Sequence, residues 1–270
     1  MATDLPAAAP ATTRPAGGLA GGPTGGPDGG LKVRPDGVDD SIWAALGTVR
    51  DPELDSPITE LGFVSAVLSE PAVLTVELRL PTYFCAPNFA YLMVADAYDA
   101  VAAVPGVRNL VIRLLDHFAS DEINAGVAGG RGFAGSFPGL ADDELEELRI
   151  TFQRKAHRAC QEQVASHLVK QGWSVSDLAS ASLADACAGQ DLDRLTRRRN
   201  DLNLPSGPDA PLLLHDDGTP ITQLDLPLQL RMAKTTRISI EGNSGLCRGL
   251  LSVRYNLPRP ADVDQVIVSS

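Results

Sequence analysis

Cys85 is the side chain to which chemistry is most readily assigned. It stands in Pro81-Thr82-Tyr83-Phe84-Cys85-Ala86-Pro87-Asn88, between the end of a β-rich run and the start of a helical pattern. Unpaired N–H groups and the positive end of the dipole at a helix start favour a thiolate, the form that ligates iron or attacks a disulfide. A second set of donors lies upstream in Arg50-Asp51-Pro52-Glu53-Leu54-Asp55-Ser56-Pro57, where Asp51, Glu53 and Asp55 offer oxygens to iron. The simpler reading of that segment is a solvated acidic loop, because Pro52 and Pro57 exclude a continuing helix. Asp116-His117 joins a carboxylate to an imidazole at a strand end. His157 and Cys160 share a helical stretch with Phe152, Ala156 and Ala159. Structural roles account for both pairs more simply than metal binding. The chain has no HExxH and no P-loop signature, and a thiol enzyme built on Cys85 needs a positioned base that the sequence does not place.

The elements that must hold Cys85 are legible from periodicity. Asp40 or Ser41 can cap a short helix carrying Ile42, Trp43, Ala45 and Leu46. Two β-rich runs, Phe63 to Leu68 and Val73 to Leu80, flank Ser69-Glu70-Pro71, and Val76, Leu78 and Leu80 alternate with Glu77 and Arg79 as in a hairpin. From Asn88 to Val104, Tyr91, Val94, Tyr98 and Val101 recur at helical spacing. A third strand follows over Val107 to Leu115. The expected fold is α+β: a small helix-strand-strand-helix-strand domain, then a mainly helical segment and a short strand-rich C-terminal segment.

The division along the chain follows composition. Residues 1–37 are an Ala/Pro/Gly-rich tail expected to be disordered. Residues 38–118 form the small α+β domain, and the glycine-rich stretch 119–139 reads as a linker. Residues 140–204 form a helical module, with Leu145, Leu148, Phe152, Ala156, Ala159, Val164 and Leu168 as the buried stripe of a long helix. Within it, Arg197-Arg198-Arg199 reads as a solvated basic helix end. Residues 205–270 form the strand-rich segment, with strands over Leu212 to His215, Arg237 to Ile240 and Leu250 to Tyr255 around the turn Asp216-Asp217-Gly218.

Asp51-Pro52-Glu53-Leu54, then Ile58-Thr59-Glu60-Leu61-Gly62-Phe63-Val64, then Thr82 and Cys85 ahead of a helix, together resemble the SufT and PaaD iron–sulfur assembly domain. The resemblance covers roughly Asp40 to His117. It implies a small α+β fold and a role in delivering iron or iron–sulfur clusters to client proteins through a reactive cysteine. Carried over to this chain, Asp51 and Glu53 match the acidic loop, Thr82 the threonine before the cysteine, and Cys85 the cysteine itself. The resemblance thus makes Cys85 and Thr82 the cofactor-binding residues, and Cys85, Asp51 and Glu53 the metal contacts. Ala86 stands before Pro87, where the family commonly has proline directly after the cysteine. Domains of this type with C-terminal extensions resemble those found beside diiron monooxygenases, so such an oxygenase is the client by analogy.

The cysteine count limits what the chain can hold. An iron–sulfur cluster takes about four protein ligands, mostly thiolates, and the assembly-like segment offers Cys85 alone. Unless Cys160, Cys187 or Cys247 folds back onto Cys85, a cluster must be shared across a homodimer or with a partner. Transient iron or cluster transfer fits that arithmetic. The expected partners are a client metalloenzyme and the iron–sulfur assembly machinery, and the expected role is maturation factor rather than enzyme. A scaffold or chaperone that never binds metal is the alternative.

The wider composition agrees. Hydrophobic residues make up 44% and charged residues 21%, enough apolar material for a core. The net charge of −11 repels phosphate and anionic lipid, which argues against nucleic-acid and membrane partners. No apolar run nears the roughly 18 to 20 residues of a membrane span, and the start lacks a signal-peptide pattern, so a cytoplasmic protein with free thiols is expected.

Overall fold

The computed structural model describes residues 34–137 and 142–257. The expected tail at 1–37 therefore lies almost wholly outside the described residues, as does the last part of the expected strand-rich segment.

The chain begins with helix α1 (Asp40–Leu46), capped by Asp39, whose carboxylate accepts from the Ser41 N–H at 2.8 Å. Asp39 can do this because its backbone is extended, leaving the side chain free to reach the orphan donors of the first turn. Strands β1 (Val64–Ser69) and β2 (Leu74–Arg79) pair antiparallel. Helix α2 (Pro87–Ala102) then crosses over to β3 (Leu110–Leu115), which runs parallel to β2. The sheet order is β1-β2-β3. Val76, Leu78 and Leu80 face inward, as their alternation requires, against Tyr91, Val94, Ala97 and Val101 of α2.

The described part of the expected linker, 119–137, is mostly helical. It forms α3 (Ser120–Ala128) and α4 (Gly132–Ser136), which place Ile123 and Phe133 in the same core. Gly126 serves close packing: a Cβ there would sit 1.7 Å from Ser136 Oγ.

Helix α5 (Asp142–Lys170) is the long helix expected, and Ala156, Ala159, Val164 and Leu168 are buried along it. Two short 3₁₀ turns, Asp177–Ser180 and Leu183–Asp185, lead to α6 (Gln190–Asp201). A second core gathers Val164, Leu168, Leu178, Leu183, Leu195 and Leu212.

Over the described residues 205–257 the strand-rich reading is overturned. Arg237 to Ile240 and Leu250 to Tyr255 belong to one long helix, α7 (Leu226–Tyr255). The β-branched Ile238 and Ile240 suggest strand by propensity, but packing of α7 on α5 prevails. Arg237 ties the two helices, donating to Glu162 at 2.5 Å and to Glu241 at 2.8 Å. Between α6 and α7, Leu212 to His215 contributes one isolated bridge, Leu214 to Pro220, and Pro211 just before it forms another with Ser182. The expected turn at Asp216-Asp217-Gly218 is present, closed by His215 N–H donating to Thr219 O at 2.8 Å.

The basic run at the end of α6 is solvated at Arg197 but not at Arg199, and Arg198 is partly buried. Arg199 is wholly buried and donates to the carbonyls of Leu212 at 2.7 Å and Pro205 at 3.0 Å. Burial pushes its guanidinium down to about 10. Those carbonyls belong to an irregular segment with no ladder of its own, so a long cation supplies the donors that segment lacks.

Candidate functional site

Cys85 sits in the loop that joins β2 to α2, one residue before the N-cap Ala86, with Pro87 at the start of the helix. Proline there loses nothing, because its missing N–H would have no partner in the first turn. Thr82 Oγ1 lies 3.3 Å from Cys85 Sγ, so one turn of loop brings the hydroxyl and the thiol together. His117 holds the same loop from beneath. Its Nδ1 accepts from the Ala119 N–H at 3.2 Å, which leaves Nε2 to carry the proton and donate to Cys85 O at 2.7 Å. Burial lowers the His117 pKa and keeps the ring in that neutral form. His117 thus positions the loop and points no free nitrogen at a metal. Phe118 N–H adds a bond to Tyr83 O at 3.2 Å.

Around Cys85 the loop exposes aromatic rings. Phe84 is 77% exposed, and Tyr83 and Phe118 are each 47% exposed. Tyr83 and Phe84 meet edge to face at 4.9 Å between centroids, and Phe118 closes the cluster 6.1 Å from Phe84. Burying exposed apolar rings is favourable, so this cluster is the kind of surface a partner can cover.

The acidic loop is not the solvated turn expected. Asp51 and Asp55 are both buried. Asp51 Oδ1 accepts from the N–H groups of Glu53 and Leu54, each at 2.9 Å, which shapes the turn. Burial nevertheless pushes its carboxyl up to about 6. Asp55 has φ +49 and meets three arginines: Arg194 at 3.2 Å, Arg198 at 3.5 Å and Arg50 at 3.7 Å. Asp55 is a structural anchor between this loop and α6. Among the described residues, no three or more His, Cys, Asp or Glu side chains group as a metal site, so Cys85, Asp51 and Glu53 do not form a closed cage. His157 and Cys160 are buried on α5, away from the Cys85 loop and packed into or beside the second core.

Residues 39–111 match the family model described as iron-sulfur cluster assembly protein. Over those residues the chain is similar to iron–sulfur cluster assembly domains. Asp51, Glu53, Thr82 and Cys85 all fall inside it. No curated protein and no solved structure matched the chain. No helix among the described residues is long and apolar enough to cross a membrane.

The assembly domain does not present its cysteine loop alone, because the end of α7 lies over it. Arg254 donates to Leu80 O at 3.1 Å and to Asp116 O at 2.5 Å, bridging the two strand ends that flank the site. Leu251 is buried in the first core, where its Cδ2 would stand 3.3 Å from a Cβ on Gly62. Asn243 Nδ2 reaches Glu53 Oε1 at 3.4 Å. Between these anchors stands Cys247, partly buried against the same core as Cys85. Burial pushes its thiol up to about 11, and Asp51, Cys85 and Glu53 all face it and add to that shift. In the sequence Cys247 is only one of three cysteines far from Cys85. Reading its stretch as strand-rich hid the face it presents.

Proposed function

We propose that this chain is a cytoplasmic maturation factor that accepts iron or an iron–sulfur cluster and passes it to a client metalloenzyme. The observation that carries this reading is the assembly domain itself, with Cys85 held by Thr82 and His117 in a partly exposed loop ringed by Tyr83, Phe84 and Phe118. A thiol supported on a rigid loop end can ligate iron, and the apolar rings around it can bury against a partner while the cargo changes hands. Thr82 donates to the sulfur when it is a thiolate. Asp51 and Glu53 line the neighbouring loop as auxiliary oxygen donors, with Asp51 released from its capping role only at the cost of the turn.

One domain cysteine cannot hold a cluster alone, so the cargo is transient or shared, across a homodimer or with the iron–sulfur assembly machinery. The role is that of a carrier and not of an enzyme. A diiron monooxygenase is the client to try first. The scaffold reading is separated by one substitution. Co-expressing the client with wild-type or Cys85→Ser chain and assaying client iron and activity is the experiment. The carrier loses maturation with Cys85→Ser, whereas a scaffold retains it.

A further inference from the structure

The C-terminal helix lies across the cysteine loop along one face. Asn243, Cys247, Leu251 and Arg254 are spaced by four, four and three residues, which aligns them on a single side of α7. Three of the four have identified partners in the assembly domain: Glu53 for Asn243, the Gly62 region for Leu251, and the carbonyls of Leu80 and Asp116 for Arg254. Glu53 belongs to the acidic loop, while Leu80 and Asp116 close the two strands on either side of the cysteine loop. Cys247, one turn from Asn243 and one turn from Leu251, is therefore directed at the ground between the acidic loop and Cys85. Both cysteines are partly buried against the first core and neither is in a disulfide.

We propose that Cys247 is the second sulfur ligand of the Cys85 site, so that iron is held between one thiolate of the assembly domain and one of the C-terminal helix. The inference rests on the reading of Cys85 as a cargo ligand and adds the residue that completes a dithiolate. Binding is an acid–base exchange: each thiol gives up one proton as its sulfur bonds ferrous iron, and no electron is transferred. The other positions on the metal stay open to water, sulfide or a client ligand, as transfer demands and storage does not. Arg248, on the same helix, is the basic group that faces Cys247.

The test uses the full chain, reduced and anaerobic, with the exposed Cys187 replaced by serine in every variant, and titrates it with Co(II) as the probe. Thiolate-to-cobalt charge-transfer absorption scales with the number of sulfurs on the metal. The expected result is a band whose intensity halves in Cys247→Ser and in Cys247→Ala, halves in Cys85→Ser, and vanishes in the double variant. Circular dichroism confirms that each variant is folded, and the serine and alanine forms guard against a folding defect in either. A full-strength band in both Cys247 variants, with loss in Cys85→Ser, overturns the inference and leaves the Cys85 carrier standing. A band indifferent to both cysteines overturns the carrier as well. Dibromobimane, which fluoresces only when it bridges two thiols, supplies a metal-free check: labelling of wild type and not of either single variant is expected, and no bridged product contradicts the pairing.

Discussion

At the residue scale, the cysteine loop separates groups that contact the sulfur from groups that hold the loop. The hydroxyl of Thr82, 3.3 Å from Sγ, can donate to a thiolate but gives a neutral thiol little. Thr82→Val should slow alkylation of Cys85 by iodoacetamide near neutral pH by roughly fivefold, about 1 kcal/mol of lost hydrogen bonding to a charged acceptor. Comparing single-site rates by mass spectrometry checks this, and an unchanged rate would show that the hydroxyl does not serve the sulfur. His157 gives a different residue-level prediction. It is fully buried, its two ring nitrogens have no hydrogen-bond partner among the described residues, and burial, with Arg199 and Arg158 adding to it against Asp216, pushes its pKa down to about 4. The unfolded chain therefore binds a proton at higher pH than the native one. The stabilisation from neutral His157 is complete above pH ~6.5 and is lost as pH falls toward 4, at most about 3 kcal/mol. Urea unfolding between pH 4 and 7 should show that slope in wild type, and His157→Gln should flatten it.

At the element scale, the contacts that matter most tie the assembly domain to the C-terminal helices. Asp55 meets Arg50, Arg194 and Arg198 with almost no exposure. Removing its charge leaves partly buried guanidinium groups uncompensated, so Asp55→Asn should cost about 3 kcal/mol in denaturant unfolding. Asparagine is the right replacement because it tolerates the left-handed backbone at φ +49. A loss below about 0.5 kcal/mol would mean that solvent already screens the cluster. Gly62 tests the seat of α7. Its φ is +76, and a Cβ would press on Leu251. Gly62→Ala should destabilise the chain by about 1 to 2 kcal/mol and speed proteolysis within α7. Cleavage unchanged in rate would show that the helix end is held by Arg254 alone.

Local pattern made the helix-strand-strand-helix-strand unit legible, because Val76, Leu78 and Leu80, and Tyr91, Val94 and Val101, each follow the period of their own element. The same logic failed over α7. Ile238 and Ile240 alternate like strand residues, and the partners that make the segment helical, Glu162 on α5 and the site-bearing loops, lie far away in sequence. Asp51 and Asp55 looked solvated for the same reason, since the groups that bury Asp55 come from α6.

At the scale of the whole molecule, two apolar cores are joined by elements that serve both. One holds the sheet, α2, α3 and α4, and the other holds α5 and α6 with the segment before α7. Helix α7 starts with Leu226 in the second core and ends with Leu251 in the first, beside the cysteine loop. Arg149 of α5 adds a bidentate pair to Asp96 of α2, both bonds at 2.8 Å. The extension is thus built into the environment of Cys85, which the assembly domain taken alone does not reveal. On the carrier reading proposed above, holding and releasing cargo is expected to need α7 as well as the assembly domain. The most direct measurement is anaerobic reconstitution of wild type and Cys85→Ser with iron and sulfide, followed by desalting, iron analysis and visible absorption. A Cys85 carrier retains iron and charge-transfer absorption in the wild type and loses both in Cys85→Ser; iron retained equally by both, or by neither, would contradict it.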